Sequence, residues 1–326
     1  MKNAFAFGMV CALGLAACLA SGCKDDPPPG NHIDTSGHDF SIDGPCDPDT
    51  LVGSFEVASR ESGTFQYAVV SGSITNGVNW NNTALFHEES GACKLYEFSM
   101  WSCSPACQGG QICNNEETCI AFPANLDMGT VEVVGLVTDV SMEPDTSFNY
   151  QFDVNDDATF TNPPFTPGVQ IFLWAEGGAE TEEMLFDGMG VTPLTVESKD
   201  YTMHEDENMV VTWNPSDDTE GEIYGQFSID QHGASKMWIH CTWEDAAGSG
   251  TVPANLVNEL YADWTATPIP GFATAYLFRR TVDSVAVSQG CTEFRVVSQI
   301  QLNLDYVPPD SWDGGVDDDA GTDWAN

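Results

Sequence analysis

The chain has 326 residues and a formal net charge of −41, from 50 Asp and Glu against nine Lys and Arg. So acidic a body repels polyphosphate and anionic lipid headgroups, which argues against nucleic-acid binding and against docking to a membrane through a basic surface. Beyond the first two dozen residues, about 300 remain, enough for one large domain or two ordinary ones.

Residues 1–23 read as an export signal. Met1-Lys2-Asn3 leads into an apolar run from Ala4 to Leu19, and Ala20-Ser21-Gly22-Cys23 stands at the border with Lys24-Asp25-Asp26. The run is too short and its flanks too polar for a spanning helix, and no later stretch reaches the roughly 18 apolar residues one needs. The small residues ending in cysteine resemble the lipobox of bacterial lipoproteins, whose new N-terminal cysteine is diacylated. Leu15-Ala16-Ala17-Cys18 matches that pattern at every place. Cys23 sits at the apolar-to-polar border and leaves eight further cysteines, an even number, so it is the preferred anchor. The resemblance implies a bacterial envelope location: outer-membrane-anchored, facing periplasm or exterior, with the membrane reached through the N-terminal lipid.

Residues 24–45, with Pro27-Pro28-Pro29-Gly30, read as a flexible tether. Residues 46–101 read as a small β domain, from the alternation Phe55/Val57, Phe65/Tyr67/Val69 and Lys94/Tyr96/Phe98/Met100. So small a β core needs a staple, and Cys46 and Cys93 near its ends offer one. Residues 102–124 hold Cys103, Cys107, Cys113 and Cys119 with too few apolar residues for a core, and so form a cross-linked knuckle. Residues 125–306 read as a larger β-sandwich. Its alternating runs include Phe148/Tyr150/Phe152, Met209/Val211/Trp213, Met237/Ile239/Cys241/Trp243 and Val296 to Leu304, with turns at Gly177-Gly178 and Gly248-Ser249-Gly250. Pro253 followed by Leu256, Val257 and Leu260 predicts a two-turn helix. Residues 307–326 read as a disordered acidic tail. The central region alone carries a net charge near −32. The fold class expected is all-β: an antiparallel sandwich, Ig-like or jelly-roll-like, with a smaller N-terminal β segment and the knuckle.

The knuckle cysteines suit disulfides better than zinc, because the compartment is oxidising and the paired C-x2-C of structural zinc sites is missing. Of the three pairings open to them, the interleaved one, Cys103–Cys113 with Cys107–Cys119, is preferred. Cys241 and Cys291 are expected to clamp two strands of the larger domain. The run Cys103-Ser-Pro-Ala-Cys107-Gln-Gly-Gly-Gln-Ile-Cys113, with Cys119, Gly129-Thr-Val-Glu-Val133, Asp230-Gln-His-Gly233 and Val252-Pro253, resembles uncharacterised cysteine-rich bacterial surface lipoproteins. That group implies architecture and location and carries no assigned activity.

Chemical motifs are few. His87-Glu88 and His204-Glu205 begin a zinc-protease motif, but Gly91 and Asn208 occupy the second histidine position. Asp153-x-Asn155-x-Asp157 imitates a calcium loop, yet Ala158 and Pro164 stand where the EF-hand needs Gly and Glu. A looser oxygen cage for calcium there is the one cofactor site the sequence offers, with a solvated acidic turn as the alternative. Trp238 and His240 alternate with Met237, Ile239 and Cys241, so they face away from the core, as aromatic sugar-binding platforms do. The doublet Arg279-Arg280 is expected to pair with surplus carboxylates. The expectation is a non-enzymatic, lipid-anchored surface protein with a structural, adhesive or binding role and a polysaccharide or protein partner. A carbohydrate- or calcium-binding module is the alternative, and an envelope hydrolase using His232 the remoter one.

Overall fold

The computed structural model describes residue 33 and residues 37–80, 83–98, 102–152, 160–216, 221–228, 237–262 and 274–307. Cys18, Cys23, most of the tether, Asp153, Asn155, Asp157, His232 and the tail from 308 lie outside the described residues.

The first strands are β1 (Leu51–Ser62), β2 (Phe65–Ile74), β3 (Ala84–Ser90), β4 (Cys93–Phe98), β5 (Gln111–Cys113) and β6 (Cys119–Ala121). Next come β7 (Val131–Val134), β8 (Val140–Met142), β9 (Tyr150–Phe152), β10 (Gln170–Ala175), β11 (Met184–Met189), β12 (Asp200–His204) and β13 (Met209–Thr212). After these follow β14 (Glu222–Ser228), β15 (Met237–Glu244), β16 (Ser249–Val252), the helix α1 (Ala254–Ala262), β17 (Thr274–Val287) and β18 (Gly290–Val307).

The principal sheet runs β3-β4-β15-β14-β17-β18-β1-β2-β9, with β12 added beside the far end of β18. Strand pairs are antiparallel except β1 with β18 and β12 with β18, which are parallel. One face of this sheet is apolar because residues alternate across each strand. In β15, Met237, Ile239, Cys241 and Trp243 are buried while the residues between them are not.

Two cores lie side by side on that face. Phe55, Val57, Val70, Phe294 and Val296 meet a second sheet, β11-β10-β7-β8, through Val131, Val133, Ile171, Leu173 and Phe186. This is sheet-on-sheet packing, a β-sandwich. The other core sets Ile223, Phe227, Ile239, Leu277 and Leu302 against Val211 of β13, Val252 of β16 and Leu256, Val257 and Leu260 of α1. The helix thus buries the apolar stripe its sequence displays, and the Pro253 carbonyl accepts its first amide hydrogen bonds.

A polar seam separates the cores. On β17 the inward positions Ala275 and Leu277 are followed by Arg279, Thr281 and Asp283, all buried. Arg279 pairs with Asp245 and donates to the carbonyls of Thr192, Pro193 and Asn214. Ser298 Oγ accepts from the Leu194 amide, and Thr281 bonds Met189. The seam therefore holds the connection between β11 and β12, whose backbone would otherwise be buried unpaired.

The structure alters several expectations. Residues 46–101 do not form a domain of their own: β1 and β2 extend the sheet from β18, and β4 pairs with β15. The described residues from His38 onward form one compact unit. The bonds Cys46–Cys93 and Cys241–Cys291 are replaced by Cys46–Cys291 and Cys93–Cys241, beside the interleaved Cys103–Cys113 and Cys107–Cys119. The exchange follows from the topology, since Cys93 stands directly opposite Cys241 in the β4–β15 register and Leu51 opposite Cys291. Ser249 and Gly250 belong to strand β16, where Gly250 leaves room for the Trp243 indole; a Cβ there would lie 2.2 Å from it. Phe148 lies in a turn with φ 55°, its neighbours' amides bound by the Asp145 carboxylate.

Candidate ligand-binding face

The opposite face of the principal sheet carries the residues that alternate with the two cores. In register across the strands, Trp238 stands opposite Tyr96, and His240 opposite Lys94 on one side and Gln226 on the other. Tyr224 lies between Thr242 and Phe278, and Arg280 opposite Glu222. A ladder of ring contacts results, crossing five strands. Phe86 meets Tyr96 at 6.3 Å between centroids, Tyr96 meets His240 at 5.0 Å, and His240 meets Tyr224 at 5.4 Å. Tyr224 then meets Phe278 at 5.7 Å, and Phe278 meets Tyr276 at 6.1 Å. These separations are in the range where tilted aromatic pairs attract.

Tyr96, His240, Tyr224 and Phe278 line a trough of about 1290 Å³ that continues over β18, β1 and β2. Of the seven basic residues between 46 and 306, four also line it: Arg60, Lys94, Arg280 and Arg295. Three of these are paired, Arg60 with Glu56, Arg280 with Glu222 and Arg295 with Glu293. The Arg280 guanidinium also stacks 3.7 Å from the centre of the Tyr224 ring, a cation–π contact.

Burial shapes the proton chemistry here. It lowers the His240 pKa to about 4, with the nearby Arg280 charge adding to the effect, so the imidazole is neutral at pH 7. Burial likewise raises Tyr224 to about 12, against the opposing pull of Arg280 and Arg295. His240 Nε2 and Arg60 Nε are buried without a hydrogen-bond partner among the described residues. An unmet buried polar atom costs about 1–3 kcal/mol.

Trp238 and His240 lie on one face as their alternation predicts, and His240 sits in the ladder. Tyr96, Tyr224, Phe278 and Arg280 complete the site from three other strands. Their signal is the same alternation, Tyr224 against Ile223 and Gly225, and Tyr276/Phe278/Arg280 against Ala275/Leu277/Arg279. The Arg279-Arg280 doublet splits across the sheet, each arginine meeting a carboxylate on its own side. The sulfurs of Cys103, Cys107 and Cys119 cluster closely enough to suggest a metal, but they are disulfide-bonded and offer no thiolate.

No family model and no curated protein matches the chain. Solved structures similar to it include the crystal structure of chicken CNTN1 FN1-FN3 domains, at 10% identity and a TM-score of 0.17, covering 69% of this chain and 65% of that one. The match thus spans just under two thirds of that chain's length.

Proposed function

We propose that this is an exported, lipid-anchored, non-catalytic envelope protein that binds a ligand along the uncovered face of its principal sheet. The observation that carries the reading is the aromatic ladder Phe86–Tyr96–His240–Tyr224–Phe278–Tyr276, whose central rings line an open trough. Phe86 at the end of the row is 58% exposed, the kind of apolar surface that marks a binding site. Four disulfides support an oxidising compartment, and the small-residue border at Ala20-Ser21-Gly22-Cys23 supports the anchor. Mass spectrometry of the mature N-terminus tests the anchor, with diacylated Cys23 expected; an unlipidated N-terminus elsewhere refutes it. Saturable binding of an envelope or extracellular polymer, weakened in Tyr224→Ala, tests the face.

A further inference from the structure

Resting on that reading of the sheet face, we infer that its ligand is a neutral, hydroxyl-rich glycan lying across the strands along the aromatic ladder. From Phe86 to Phe278 the ladder sets one ring on each of five neighbouring strands, with centroids 5.0 to 6.3 Å apart. Tilted rings repeating at that distance, close to the length of one sugar residue, suit a chain of sugars whose C–H groups pack against ring edges and faces in turn. The trough, at about 1290 Å³, exceeds the roughly 300–1,000 Å³ of an ordinary small-molecule pocket and so accommodates an oligomer.

The polar groups beside the rings decide the charge of the ligand. Arg60–Glu56, Arg280–Glu222 and Arg295–Glu293 each set N–H donors next to a carboxylate acceptor. A hydroxyl donates and accepts, and so uses both halves of such a pair. An anion would gain only the arginine and meet the glutamate as a like charge. A cation would face the converse. The trough as a whole is nearly balanced, with Asp47, Glu56, Glu89, Asp145 and Glu293 against four bases, inside a chain of net charge −41. The field of the chain repels polyanions before they reach the arginines.

The test is calorimetric titration of the full chain in detergent with neutral hexasaccharides (cello-, xylo-, manno- and laminari- series), polygalacturonate, heparin and an unstructured acidic peptide. At least one neutral series should bind saturably. Its affinity should change less than about twofold between about 50 mM and about 500 mM NaCl, because no net charge is neutralised. Tyr224→Ala should weaken it by about tenfold or more, whereas Tyr224→Phe, which keeps the ring and the fold, should stay within about twofold. Binding confined to polygalacturonate, heparin or the peptide, and lost in Tyr224→Ala, would overturn the neutral glycan and leave the binding face standing. A neutral glycan that binds equally well to Tyr224→Ala would overturn the ladder as its site. No binding of any probe would remove both this inference and the reading it rests on.

Discussion

Arg279 and Asp245 form an ion pair, 2.8 Å from Nε to Oδ2, whose side chains are only 1% and 2% exposed. Arg279 Nη2 also donates to Asp245 Oδ1, the guanidinium reaches three carbonyls besides, and Asp245 accepts from Ser216. Arg279→Met should therefore lose about 3–5 kcal/mol, most of it the cost of stranding the Asp245 carboxylate. Arg279→Met with Asp245→Leu should recover part of that loss, and urea unfolding measures both. A single variant within about 1 kcal/mol of the parent would show that the seam is not closed to water.

The Cys46–Cys291 bond closes a sequence separation of 245, and Cys93–Cys241 one of 148. Replacing either pair with alanine should cost about 2–5 kcal/mol. The knuckle bonds close separations of 10 and 12 around little more than Ile112 and Cys113 as buried apolar groups. Reduction should thus expose residues 102–121 to protease before the sandwich unfolds. Thiol titration of the denatured, unreduced chain should find these eight cysteines unreactive; two or more free among them would contradict the framework.

Acid should weaken the fold through His240. Its pKa falls from 6.5 in the unfolded chain to about 4 in the fold, chiefly through burial. Between those values the unfolded chain takes up the proton and the native chain does not, so stability drops as pH falls from 6.5 towards 4, by up to about 3 kcal/mol. Asp283 acts in the opposite sense: burial raises its pKa, so its penalty is relieved as pH falls through the folded value. Thermal unfolding across this range should show a net decline, flattened in His240→Phe, where the ring contacts survive and the titrating group is gone.

Charge repulsion should make the fold respond to salt. With a net charge near −32 on residues 46–306, like charges crowd strands and turns, and screening shortens their reach from roughly 10 Å at 0.1 M to about 3 Å at 1 M. The unfolding midpoint should rise with NaCl, and a flat or falling midpoint would show that repulsion does not limit stability.

Alternation places Trp238 and His240 on the face away from the core, because period-2 burial is local to a strand. The pairing of β1 with β18 had no such signal: Leu51–Ser62 and Gly290–Val307 each look like ordinary strands, and nothing within either names its neighbour. The same blindness separated Cys93 from Cys241. It also hid the ladder, since Tyr96, Tyr224 and Phe278 become a site only once β4, β15, β14 and β17 are set side by side. β16 was hidden by Gly250, a turn-former by composition that serves instead as clearance for Trp243.

The last described strand, β18, pairs with β17 along one edge and with β1 and β12 along the other. During synthesis, β1 and β2 are made more than two hundred residues before the strand that completes them. For all that interval β1 carries an open, unsatisfied edge, which is the kind of surface that recruits strands from other chains. Cys46 likewise waits for Cys291, with Cys93, Cys103, Cys107, Cys113, Cys119 and Cys241 all made before its partner. A chain woven this way profits from a holding chaperone and a disulfide-shuffling catalyst, because the native bond of its first framework cysteine is also the last whose second half is made.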